Sequence, residues 1–100
     1  MKNFRCYSLG LRFYSKVKNL RLPQHLSSQL KRASSSVVCN LREGAGRRTP
    51  NDQRRFFFMA LGSIRECHGI LEMAEISDLD LLDLCDHLSA SLYKLCHYEK

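Results

Sequence analysis

No stretch of the 100-residue sequence approaches the roughly 18 to 20 consecutive apolar residues needed to cross a bilayer. The opening Met1-Lys2-Asn3-Phe4-Arg5 also lacks the apolar run of a secretory signal, so a cytoplasmic protein with no membrane partner is expected. The five cysteines, Cys6, Cys39, Cys67, Cys85 and Cys96, contain no CxxC pair, and their odd number excludes a complete set of intramolecular disulfides. Reduced, mostly buried thiols are the expectation, because cysteine packs as a small hydrophobe. Cys85, His87, Cys96 and His97 fall on one predicted helix but lack the close paired spacing of zinc sites, so no metal is implied.

Catalytic signatures are equally scarce. Gly44-Ala45-Gly46 follows a predicted helix instead of a strand and lacks the third glycine of a dinucleotide fingerprint. There is no phosphate loop, no HExxH and no GxSxG. His25, His68, His87 and His97 stand apart in the sequence and read as ordinary surface or core histidines. The expectation is a protein that is not an enzyme and carries no cofactor. Period-2 alternation bounded by Asn-Gly or Asp-Gly is absent too, which removes strands from the reading.

What remains is a chain of ordinary globular composition, 44% hydrophobic and 26% charged, whose length suits one domain over residues 1–100. Apolar residues recur at helical spacing. A first helix is predicted from about Phe4 to Leu20 with Leu9, Phe13, Val17 and Leu20 on one stripe, and a second starts with Pro23 in its first turn. Leu26, Leu30, Ala33, Val37 and Leu41 form the second stripe, which stops at Gly44, and Gly44-Ala45-Gly46 offers two positions that tolerate the left-handed conformation of helix ends. Thr49-Pro50-Asn51-Asp52 then supplies a capping hydroxyl, a proline at the first helical position and a carboxylate at the positive helix terminus.

The third helix is predicted from Pro50 to about Glu75, with Phe56, Ala60, Ile64, Cys67, Leu71 and Ala74 inward. Ser77 or Asp78 caps a fourth, which carries Leu81, Leu84, Cys85, Leu88, Leu92, Leu95 and Cys96 and ends near Tyr98. Short connections make an antiparallel, up-down-up-down four-helix bundle the expected all-α fold.

Charge is split along the chain. Residues 1–55 hold 13 Lys or Arg against Glu43 and Asp52, a surplus of +11, whereas residues 56–100 carry a net −5. In an antiparallel bundle Lys2, Arg5, Arg42, Arg47, Arg48, Arg54, Arg55 and Lys100 gather at one pole. Arginine's planar fork suits phosphate, so nucleic acid is a candidate partner for Arg5, Arg42, Arg47, Arg48, Arg54 and Arg55. A solvated surface and an acidic protein partner are the alternatives. Phe56, Phe57 and Phe58 cover about 200° of a helical wheel, so one helix does not bury all three, and a contact between copies of the chain is expected there. Asn40 falls on the buried side of its helix, where its amide and Glu43 would satisfy backbone donors at the start of the third helix or pair with an arginine. Gly62 and Ser63 in mid-helix suggest a close helix crossing.

Ser36-Val37-Val38-Cys39-Asn40-Leu41-Arg42-Glu43-Gly44-Ala45-Gly46-Arg47 and Ala60-Leu61-Gly62-Ser63-Ile64-Arg65-Glu66 resemble the four-helix-bundle intervening-sequence protein family. Those proteins were first noticed as reading frames inside insertions in bacterial large-subunit rRNA genes. They share a fold with the accessory variability proteins of diversity-generating retroelements. Asn40, Glu43, Gly44 and Arg47 fall on the family's Asn, Glu, Gly and Arg positions, and Ala60, Gly62, Ser63 and Glu66 on its Ala-x-Gly-Ser-x-x-Glu run. Many members have a proline where Val38 stands, a small residue where Arg42 stands and a longer link between the first two helices. The resemblance implies a non-catalytic bundle that assembles as a ring, typically a pentamer. In the retroelement relatives such a ring binds a reverse transcriptase and nucleic acid.

Overall fold

Four apolar stripes give four helices. The computed structural model describes residues 4–97, in which α1 spans Phe4–Lys18, α2 Gln24–Ala45, α3 Pro50–Met73 and α4 Leu79–His97, with no strand among them. Lys2 and Lys100, expected at the basic pole, and Tyr98, expected at the last helix end, lie outside the described residues. No helix among the described residues is long and apolar enough to cross a membrane.

Each helix packs on its chain neighbours, α1 also packs on α4, and α2 meets α3 most extensively. The result is a bundle of about 40 × 22 × 18 Å, its long dimension close to the roughly 36 Å that 24 residues at 1.5 Å each give α3. The stripes predicted for α2 and α4 are buried in full, and Leu9, Phe13 and Val17 are buried on α1. Leu20, past the end of α1, packs against the core from the connection.

Several local expectations are corrected. Pro23 is the N-cap residue of α2, not a first-turn member, and its carbonyl accepts from the Leu26 and Ser27 N–H groups. Gly44 does not end α2 in a left-handed turn. The helix runs on to Ala45, and Gly46 closes it in right-handed geometry, donating to the Glu43 carbonyl at 3.2 Å. Gly44 is buried in a close helix contact instead: a Cβ there would stand 2.7 Å from Phe57 Cε1.

On α3 the inward aromatic is Phe57, 3% exposed, and not Phe56. The helix stops at Met73, short of Glu75, because Glu75 adopts φ 55° and the Ile76 N–H reaches the Leu71 carbonyl at 3.1 Å. This six-to-one bond is the Schellman ending, and Ile76 packs on the core as that motif's hydrophobic contact. Thr49 caps α3 as expected, accepting from the Asp52 N–H at 3.1 Å with Pro50 next in line. Asp78 accepts from the Leu81 N–H at the start of α4.

Candidate nucleic-acid interface

The basic segment joins the last turn of α2 to the first turns of α3, so the α2–α3 contact positions its arginines. Arg47 forms an ion pair with Glu43 at 2.6 Å and approaches Asp52 at 3.7 Å. Arg55 pairs with the same Asp52 at 2.9 Å. Between them lies Phe56, with the Arg47 guanidinium 4.5 Å and the Arg55 guanidinium 4.4 Å from the ring centre. The aromatic ring and the shared carboxylate hold two cations side by side, an arrangement that cation–π attraction favours by about 0.5–1 kcal/mol per pair at an exposed site.

Arg42 is exposed and lies over Tyr7 of α1 at 5.7 Å, with Nη1 donating to the Tyr7 hydroxyl at 3.3 Å. Arg54 reaches the Asn51 side-chain oxygen at 3.4 Å. Arg48 is exposed, and among the described residues no carboxylate pairs with it. Residues 42–55 thus hold five arginines against two carboxylates, both of which are engaged. Arg5 lines an open groove of about 500 Å³ between α1 and α4 with Arg12, Lys16, Asp80 and Asp83. Tyr7, half a turn further along α1, is the residue that meets Arg42.

The phenylalanine run divides three ways. Phe57 lies in the protein's own core and has no surface to offer another copy, Phe56 is clamped between arginines, and Phe58 is 45% exposed beside exposed Met59.

The motif residues form a polar seam between α2 and α3. Asn40 is half-buried and serves its own helix, donating to the Ser36 carbonyl at 3.0 Å and to its hydroxyl at 3.2 Å; it reaches neither α3 nor an arginine. Ser63 bonds the same Ser36 hydroxyl at 3.1 Å, and Glu66 takes Arg32 at 2.6 Å. Glu43 does pair with an arginine, Arg47. Gly62 is not at a crossing: it is exposed, and nothing lies within 4 Å of where its Cβ would be. A family model described as 23S rRNA-intervening sequence protein matches residues 2–97. The chain belongs to that family. Comparison with curated proteins returns no match.

The match covers far more of this intervening-sequence protein than the motif segments 36–47 and 60–66, extending to α1 and α4. Sequence reasoning missed two partners of those motif residues, Ser36 and Arg32, although Ser36 stands one turn before Asn40, where side chains of a helix meet. It also missed a cluster on α3 and α4, where the Tyr93 and His97 rings stack at 3.9 Å and His97 meets Phe58 edge-on at 5.4 Å. Four cysteines, Cys6, Cys67, Cys85 and Cys96, are buried, and Cys39 is exposed. Burial pushes the Cys67 thiol up to about 12 and those of Cys85 and Cys96 up to about 11. Among the described residues no group of three or more metal-ligating side chains comes together.

Proposed function

We propose that this intervening-sequence protein is a non-catalytic helical scaffold that binds the sugar–phosphate backbone of nucleic acid through the basic α2–α3 segment. The helices run up, down, up and down in this reading. Cross-contacts support that course, since Arg32 meets Glu66, Ser36 meets Ser63 and Gly44 faces Phe57, so numbers rise on α2 as they fall on α3. The observation that carries the function is the Phe56 clamp. Two guanidiniums are held on either side of one ring, with Arg42 and Arg48 exposed nearby in sequence. Ordering a long side chain in advance removes part of the entropy cost of binding.

Self-association as a ring of copies, typically five, belongs to the same proposal and rests on the resemblance. With Phe57 internal, the exposed large apolar residues left for it are Leu11, Phe58, Met59, Met73, Leu79 and Tyr93, with Leu79 73% exposed. A reverse transcriptase as the protein partner also rests on the resemblance, and an acidic protein docking on the same arginines is the rival.

Anisotropy titration of labelled RNA and DNA across a salt series tests the reading. Three or four phosphate contacts per protein predict an affinity loss of about 40- to 150-fold between 50 and 200 mM salt. Replacing Arg42 and Arg48 together by alanine should lower the logarithmic salt slope by about 1.8, at roughly 0.9 per lost duplex phosphate. Absence of binding at low salt, or binding that ignores salt, refutes it. Binding of polyglutamate alone favours the rival.

A further inference from the structure

An aromatic surface faces solvent on the α3–α4 side of the bundle. Tyr93 and His97, one turn apart on α4, stack at 3.9 Å with their planes 21° apart. The Nδ1 atom of His97 lies 2.9 Å from the Tyr93 carbonyl oxygen, which fixes the imidazole against the helix. Phe58 of α3 meets the imidazole edge-on at 78°, and Tyr93 and Phe58 are 42% and 45% exposed.

Two features set this surface apart from leftover core. Helical side chains lean toward the N-terminus, so the residue four positions after Phe58 would cover it. That residue is Gly62, with open space where a Cβ would be, and the Phe58 ring stays uncovered from that side. Cationic residues also flank it in sequence: residues 53–65 and 87–97 contain Arg54, Arg65 and Lys94. Arg54 and Arg65 bracket Phe58 on α3, and the charges of both are felt at Cys96, next to His97, where they oppose the larger effect of burial.

Resting on the nucleic-acid reading above, we infer that Tyr93, His97 and Phe58 are a stacking platform for unpaired bases, so the ligand is a single-stranded segment and not a closed duplex. Phosphates lie on the flanking arginines while bases lie on the rings, the combination by which single strands are held without sequence preference. A duplex keeps its bases stacked on one another and offers the rings nothing but its ends. A contact between copies would bring like charges, Arg65 and Lys94, of both molecules near one another.

The test compares three labelled probes at low salt: a short oligoadenylate, an abasic strand with the same number of phosphates, and a blunt duplex. Base–aromatic stacking predicts oligoadenylate binding about fivefold to 150-fold tighter per stacked base than the abasic strand. Tyr93→Ala and Phe58→Ala should each shrink that ratio while abasic binding stays unchanged, and Tyr93→Phe should keep it. Gly62→Leu, which covers Phe58, should also shrink it while leaving the fold intact by circular dichroism. Equal binding of oligoadenylate and abasic strand by the unaltered protein overturns this inference alone. Failure of every probe to bind removes the nucleic-acid reading with it. A base preference untouched by Tyr93→Ala, with a change in molar mass by light scattering, would assign the rings to a contact between copies and likewise overturn it.

Discussion

Alanine in place of Gly44 and alanine in place of Gly62 should shift stability in opposite directions. At Gly44 the new methyl would stand 2.7 and 3.0 Å from two carbons of the Phe57 ring and 3.1 Å from Phe56 Cβ. Carbon atoms settle near 3.5–4.0 Å, so a gap of up to about 1 Å must be opened. The ring that has to move is 3% exposed and held within the core. Overpacking of this kind costs about 1–3 kcal/mol, and the better helix propensity of alanine returns at most about 1 kcal/mol. The net loss is about 1–2 kcal/mol, a fall in Tm of about 5–15 °C for a protein of this length.

Gly62 has open space where its Cβ would be and sits mid-helix, so Gly62→Ala should gain up to about 1 kcal/mol and raise Tm by about 4–8 °C. Thermal melts followed by circular dichroism read both. Phe57→Leu in the Gly44→Ala background should show a coupling of about 0.5–3 kcal/mol, because the shorter side chain vacates the contested space. A Gly44→Ala protein as stable as the original, or a Gly62→Ala protein that is less stable, would refute the account of α2–α3 packing.

Thr49→Ala should cost about 0.5–2 kcal/mol by leaving the Asp52 N–H without its cap, read by the urea midpoint at unchanged m-value. Glu75→Gly should raise stability by about 0.5–1 kcal/mol in the same assay: φ 55° strains glutamate by about 1–2 kcal/mol, and glycine's freer unfolded chain takes part of that back. The buried thiols predict a loss of stability in alkali. Cys67 titrates at about 12 and Cys85 at about 11 when folded, against 9.0 for an ordinary thiol, so the folded state holds these protons more tightly. Their stabilisation is complete below about pH 9 and declines from there up to pH 11–12, by about 1.4 kcal/mol per pH unit for each thiol. Melts at pH 8 and pH 10 under reducing conditions should show a smaller drop for Cys67→Ala than for the original protein.

The helices were legible because their signals are local and redundant. Leu26, Leu30, Ala33, Val37 and Leu41 repeat at spacings that admit only one face, and Thr49-Pro50 marks a helix start without help from tertiary structure. Gly44 and Gly62 exchange the roles their positions suggest, because a glycine signals either a backbone need or a packing need, and the sequence does not say which. Gly44 lies near enough to a helix end to pass for a terminator, while the ring that needs its missing Cβ is thirteen residues away, on another helix. The arginines were visible as charge. Their pairing through Glu43, Asp52 and Phe56 depends on how a four-residue connection folds, which periodicity does not describe.

The rotation of α3 about its axis links these corrections to the candidate sites. Ala60, Ile64, Cys67 and Leu71 fit an inner stripe that extends backward to either Phe56 or Phe57, three or four residues before Ala60. The α2 surface favours Phe57, because its ring lies where Gly44 leaves out a side chain, 2.7 Å from the missing Cβ. Successive helical residues are 100° apart, so with Phe57 inward Phe56 turns to one side, where Arg47 and Arg55 close on it. Phe58 turns to the other, toward His97 and α4. With Phe56 inward instead, the guanidinium clamp would lose its ring. The absence of a side chain at Gly44 therefore sets the core phase of α3 and, through it, the position of both the basic and the aromatic surfaces.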